Sequence, residues 1–232
     1  MSREKEASLP NWPVNYFNIN NMKTILKAFL LVAIVAVSIS ADLYGQKKEK
    51  LFNGKNLKNW TFQLREPGVD PSTVFKVSDG VISVSGQPFG YMRTKKSYSD
   101  YKLHVEWRYP VEASNSGIFV HGQLPDTIWL KCFECQLKAG SAGDFVLMNG
   151  SEMLEKKDKN VRVIPKKEAS SEKPVGEWNT MEITCLGTSI EVYVNGIFQN
   201  KGTSVSPSSG FICLQSEGKT IEFRNVFLTK LK

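Results

Sequence analysis

Several familiar catalytic signatures are missing from this chain. There is no G-x-S-x-G pentapeptide, and Asn115-Ser116-Gly117 reads as a turn entering a strand, so serine catalysis has no support. The glycine-rich LKAGSAGDF (Leu137 to Phe145) is not followed by a Lys-Ser/Thr pair and a helix, which excludes a phosphate loop. Helical periodicity is nowhere long enough for a sizeable helix. Charge of one sign is not concentrated either: the formal +7 includes basic residues near the N-terminus, and the rest is a Lys/Glu mix without a stripe. Nucleic-acid binding is therefore not expected.

Cysteine is scarce and its one motif is misleading. Cys132 and Cys135 form a CxxC in KCFECQLKAG, but no second CxxC follows; Cys185 and Cys213 stand alone. On a strand the two sulfurs point to opposite sides, whereas redox or zinc chemistry needs both aimed at one place. Buried free thiols are the expectation. Phe133, Cys135 and Leu137 then face the core, and Cys132, Glu134, Gln136 and Lys138 face outward. A carboxylate, an amide and an ammonium about 7 Å apart along a strand fit a groove for hydroxyl-rich ligands.

Long apolar runs are equally rare. The single one, Ala28 to Val37, follows two lysines after Met22 and precedes small residues, the order of a secretory signal peptide over residues 22–45. It is short for a span, which needs about 20 residues, so no stable membrane insertion is expected after cleavage; the alternative is an uncleaved anchor with a cytoplasmic tail. No cysteine near the junction supports a lipid anchor. Residues 1–21, polar and aperiodic, read as an upstream extension, and residues 46–232 as one exported domain, secreted, periplasmic or on the cell surface.

What the chain does have is two-fold alternation. Ten prolines, 17 glycines and 11% aromatic residues separate and fill short strand-like runs. YKLHVEWRY places Leu103, Val105, Trp107 and Tyr109 on one face and His104 and Glu106 on the other. SGIFVHGQ places Ile118 and Val120 opposite Phe119, His121 and Gln123. Asn195-Gly196 marks a hairpin. Phe211, Cys213, Gln215 and Glu217 share one face; Glu222, Arg224 and Val226 share another. Only Asn149 to Trp178 breaks the rhythm, a long loop or loose hairpin with one apolar patch, Val161 to Ile164. Ten or more antiparallel strands without repeats predict an all-β, two-sheet sandwich or jelly roll.

Histidine is limited to His104, read as exposed, and His121, which follows an apolar strand and is a candidate base near neutral pH. The glycine-rich turn after Lys138 is expected to bring Asp144 back beside Glu134.

LFNGKNLKNW, NSGIFVHG, ECQL, GEWNTMEI, VYVNG and GFICLQSEGKTIEFRNVFL occur in that order, and as a set they resemble the 3-keto-disaccharide hydrolase domain family over Leu51 to Lys232. The resemblance implies a concanavalin A-like lectin/glucanase jelly roll, export as in Bacteroidetes relatives, and an oligosaccharide or glycoside substrate. It also implies chemistry in which a ketone at carbon 3 acidifies carbon 2, so that a base starts elimination of the carbon-1 substituent, with possible hydration afterwards. On that footing His121 or Glu134 is the base, and Lys138, Arg93 or a divalent ion steadies the enolate. Gln136, Gln215 and Glu217 bind hydroxyls, and Trp129 or Tyr91 stacks on a sugar. His121, Glu106 and Glu134 are alternative ligands for a cation. Related glucanases put a second acid where Gln136 stands, which counts against two-carboxylate hydrolysis unless Glu106 supplies the partner. A carbohydrate-binding module without catalysis remains the rival from another class.

Overall fold

The computed structural model describes residues 47–231. The expected upstream extension and leader lie outside the described residues. In chain order the elements are β1 (Lys48–Lys50), β2 (Trp60–Leu64), a single helical turn α1 (Pro71–Val74), β3 (Phe75–Ser78), β4 (Val81–Val84) and β5 (Gly90–Thr94). There follow β6 (Tyr101–Arg108), β7 (Gly117–Gly122), β8 (Cys132–Gln136), β9 (Phe145–Met148) and β10 (Val163–Ile164). The last five are β11 (Asn179–Leu186), β12 (Ser189–Val194), β13 (Ile197–Gly202), β14 (Phe211–Ser216) and β15 (Ile221–Lys230).

Two antiparallel sheets result. The first runs β13-β12-β11-β6-β15-β4-β3, with β1 also on β15; the second runs β10-β9-β8-β7-β14-β5-β2. This is the two-sheet jelly roll that the alternation predicts. Local chemistry explains the joints. Asn195 and Gly196 both take positive φ, 50° and 80°, which twists the β12–β13 turn the way its strands twist. Asp70 caps α1 by accepting the Ser72 amide at 2.9 Å, and Pro71 needs no donor at the first helical position.

The core lies between the sheets. Leu103, Val105, Trp107, Met181, Ile183 and Cys185 from the first sheet meet Ile118, Val120, Phe133, Cys135, Phe145, Ile212 and Leu214 from the second. Each large side chain removed from water contributes about 1.5–3 kcal/mol, which fixes the register, because a slip by one residue would turn the apolar row outward. A smaller cluster sits on the other side of the second sheet: Tyr91, Phe119, Leu130, Cys132, Val146, Met148 and Cys213. All four cysteines are free and buried, Cys135 facing the main core and Cys132 this outer cluster.

Two bulges break the expected alternation. In β15 the pairing with β6 shifts between Arg224 and Phe227, and Asn225 takes φ 50°. Val226 therefore enters the core while Arg224 stays outside, so the two do not share a face. In β7 the pairing with β14 shifts between Phe211 and Cys213, and His121 takes φ 55°. Its ring consequently leaves the row of Phe119 and turns inward. Among the described residues no helix is long and apolar enough to cross a membrane.

Candidate active site

The outer face of the second sheet is organised in two rows. Arg93, Cys213, Phe119, Glu134 and Val146 are successive cross-strand partners in the first. Gln63, Tyr91 and Gln215 line up in the second, with Gly117 opposite Gln136 further along. One half of this face is roofed. Arg93 clamps Asp126 with Nε and Nη2, both at 2.7 Å, and the Tyr91 hydroxyl donates to the Thr127 carbonyl at 3.0 Å. That ties a loop across Cys132 and Cys213 and carries Trp129 onto Phe89, ring centroids 4.6 Å apart.

Glu134 occupies the other half, only 5% exposed. Its side chain lies over Gly117, and a Cβ there would stand 2.3 Å from Oε1, so glycine is what leaves room for the carboxyl. Burial pushes the carboxyl up to about 8; nearby Glu217 pushes the same way and Arg162 opposes both. Glu217 is itself raised by burial, against hydrogen bonds from Asn115 and Gln215 and the charges of Arg162 and Arg65. Gly218, at φ 69°, lets the chain pass so close to Ser114 and Asn115 that a Cβ would lie 2.4 Å from the Ser114 hydroxyl, and this brings Glu217 to the site.

Three oxygens of this group, Glu134 Oε1, Gln215 Oε1 and Asn115 Oδ1, are buried with no hydrogen-bond partner. Such acceptors cost about 1–3 kcal/mol each when left unmade, so their concentration in one place marks a site built for donors from outside. A coupled pair of carboxyls with displaced pKa values is the usual setting of acid–base chemistry.

The structure brings together only part of the expected set. Glu134, Gln215 and Glu217 converge, and Trp129, 41% exposed, lies beyond them on its loop, linked through Arg65, whose guanidinium is 6.0 Å from the indole and acts on Glu217. His121 does not. Its ring packs edge-on between Tyr101 and Phe133 in the core, Nδ1 donates to the Pro207 carbonyl at 3.0 Å, and burial lowers its pKa to about 4. It is on the wrong side of the sheet to act on a ligand at Glu134. Glu106 is further away still, on the outer face of the first sheet. It binds Arg224 and Asn225 at 2.6 Å, and these bonds outweigh burial and hold its carboxyl below the usual range. Two sheets about 10 Å apart separate it from Glu134, too far for an acid pair.

Other expected residues serve as scaffold. Arg93 is consumed by Asp126, and Tyr91 is buried beneath the loop, so neither meets a sugar. The Gln136 amide oxygen accepts the backbone N–H groups of Leu137 and Lys138, both at 2.9 Å. Asp144 does return beside Gln136, but its carboxylate accepts the Lys166 amide at 2.8 Å and holds the long loop. Lys138 is exposed beyond the strand end, and no ion pair links it to Glu134. With His121 in the core and Glu106 on the far sheet, the trio proposed as cation ligands does not converge, and no group of three His, Cys, Asp or Glu does so among the described residues.

Sequence reasoning missed Arg162, Arg65, Asn115 and Gly117. Arg162 had a signal: it is the charged centre of the one apolar patch in the long loop, and its carbonyl pairs with the Leu147 amide at 2.8 Å.

The fold and site define a two-sheet jelly roll with a buried carboxyl pair on one outer face. The chain belongs to the 3-keto-alpha-glucoside-1,2-lyase-like domain family, whose model matches residues 47–229. It is similar in fold to a Parabacteroides distasonis protein proposed to be a glycosyl hydrolase, with 20% identity, TM-score 0.60, and 80% of this chain and 94% of that one covered. The carbohydrate-binding module CBM66 of Bacillus subtilis shares the fold at 11% identity and TM-score 0.55, over 74% of this chain and 96% of that one. A LamA variant from Zobellia galactanivorans, in complex with laminaritriose and laminaritetraose, does so at 11% identity and TM-score 0.54, over 79% and 98%. Comparison with curated proteins finds no match.

Proposed function

We propose that this chain is an exported enzyme that cleaves glycosides bearing a ketone at carbon 3, by elimination across carbons 1 and 2. The observation that carries the reading is Glu134: a buried, unpartnered carboxyl raised to about 8, beside a second acid and an arginine. Family membership supports the reaction class, and export follows from the leader expected at residues 22–45.

The residues divide the work as follows. Ionised Glu134 takes the proton from carbon 2. Its raised pKa makes it a stronger base than an ordinary carboxylate, at the cost of being about one-tenth ionised at pH 7. Negative charge that develops on the carbon-3 oxygen is met by Arg162, whose field reaches both carboxyls. The departing carbon-1 oxygen leaves on the Glu217 side and is protonated there, by the carboxyl or by a water that it orients. Gln215 and Asn115 accept hydrogen bonds from ring hydroxyls, which satisfies their bare oxygens. Trp129 offers a partly exposed ring face to the sugar or its aglycone.

A substrate deuterated at carbon 2 tests the first step. A primary isotope effect on kcat/KM is expected, and a ratio of one under conditions where chemistry limits the rate counts against proton abstraction there. The Glu134–Glu217 pair also favours a second reading, two-carboxylate hydrolysis of unoxidised glycosides, with Glu217 in the place that sequence spacing offered to Glu106. Binding of sugars without any turnover would leave a carbohydrate-binding module.

A further inference from the structure

Five arginines lie among the described residues, and three are committed to carboxylates. Arg93 holds Asp126 at 2.7 Å, Arg108 holds Glu222 at 2.7 Å, and Arg224 holds Glu106 at 2.6 Å. Arg65 and Arg162 form no salt bridge among the described residues, and both act on Glu217. The two uncommitted guanidiniums of the domain therefore converge on the candidate active site. Arg162 reaches Glu134 as well as Glu217, whereas Arg65 lies on the Glu217 side, toward Trp129.

Arg65 is also set in place. Its amide donates to the Phe89 carbonyl at 2.8 Å, which fixes the backbone beyond the end of β2. Its guanidinium lies 4.9 Å from the Phe89 centroid and 6.0 Å from that of Trp129, rings that pack on each other. A guanidinium laid on an aromatic ring keeps its edge N–H groups free, and that edge is a fork matched to a carboxylate or a sulfate. Charge bookkeeping points the same way. Two permanent cations face at most one negative charge from Glu217, because Glu134 is mostly protonated at neutral pH. Within this group the two guanidiniums outnumber the ionised carboxyls of the Glu134–Glu217 pair, beside an exposed indole.

We infer that the sugar or leaving group seated against Trp129 carries an oxyanion substituent, a carboxylate or a sulfate ester, which the Arg65 guanidinium takes. This specificity rests on the reading of the site as a glycoside-cleaving centre and concerns the subsite next to the chemistry. Were Arg65 there only to balance Glu217, anionic and neutral sugars would bind alike.

Calorimetry on the E134Q protein, which binds without turnover, separates these cases. The probes are methyl glucoside, methyl glucuronide and methyl glucoside 6-sulfate, each as both anomers. At least one anionic probe is expected to bind about tenfold more tightly than its neutral counterpart, the loss expected for a charge-assisted bond. Whichever of the two does so identifies the group as carboxylate or sulfate. Adding R65Q should bring the advantage to within about twofold, and R65K, which keeps the charge but loses the fork, should fall between. Equal binding of all probes, no binding of any, or an advantage that survives R65Q overturns the inference. Failure here leaves turnover of a 3-keto glucoside untouched, while failure of that turnover leaves an anion preference measurable, so the two readings fall separately.

Discussion

The Glu134 carboxyl rests on Gly117 of the neighbouring strand, so close that a methyl group at 117 would meet Oε1 at 2.3 Å and Cγ at 2.7 Å. Gly117 does not occupy the left-handed region, so alanine there brings no backbone strain of its own. The Gly117→Ala variant should therefore fold and yet displace the carboxyl. A fall of about a hundredfold in kcat/KM is expected, since misplacing a catalytic group by an ångström costs about that much. Steady-state kinetics beside a thermal melt measure both halves of the expectation.

Glu134 should cost the fold stability at the pH where it works. A carboxyl raised from 4.5 to about 8 stabilises the folded state fully below pH 4.5 and loses that contribution as the pH rises through 8. Glu134→Gln does not titrate, so it should be more stable than the parent by roughly 3 kcal/mol at pH 7, with the gap widening toward pH 8 and vanishing near pH 4. Urea unfolding of both proteins across that range tests the sign. Activity of the variant should fall by at least about a hundredfold, the exchange of stability for function seen at many active sites.

His121 works in the opposite direction. Buried and lowered from 6.5 to about 4, it contributes stability above pH 6.5 that is lost as the pH falls through 4, about 3 kcal/mol in full. Asparagine tolerates the positive φ at this position. In His121→Asn the acid side of the stability profile should flatten, while kcat/KM stays within about threefold of the parent. A loss of a hundredfold would return His121 to the reaction.

Glu106 offers a clean control for the far face. Removing its charge in Glu106→Gln weakens the bonds to Arg224 and Asn225, a partly solvated cluster worth about 1 kcal/mol. Turnover should be unchanged, because two sheets stand between this residue and Glu134. Thermal melts and kinetics on the same sample provide the check.

The architecture was legible in the sequence because two-fold alternation survives along most strands: Leu103, Val105 and Trp107 face inward and His104 and Glu106 outward as written. The errors have local causes. One extra residue in a strand reverses every later side chain, and the bulges at His121 and Asn225 turned a supposed base and Val226 into core residues. Glu106 was misplaced for another reason: sequence order does not say which sheet a strand joins, and β6 and the β8 strand of Glu134 belong to different ones. Half of the site was readable, since Glu134 and Gln215 lie on strands whose facing is plain and Glu217 directly follows β14. Arg162 showed only as the charge inside the loop's apolar patch, and its reach to the carboxyls depends on tertiary contacts such as the Lys166–Asp144 hydrogen bond.

The most direct test of the central claim sets a 3-keto glucoside beside the same glucoside unoxidised, with the parent protein and Glu134→Gln. Elimination driven by a buried base predicts turnover of the keto sugar alone, rising with pH toward about 8 as Glu134 ionises, and lost in the variant. Turnover of the unoxidised glucoside at a comparable rate, or full activity in Glu134→Gln, would contradict it.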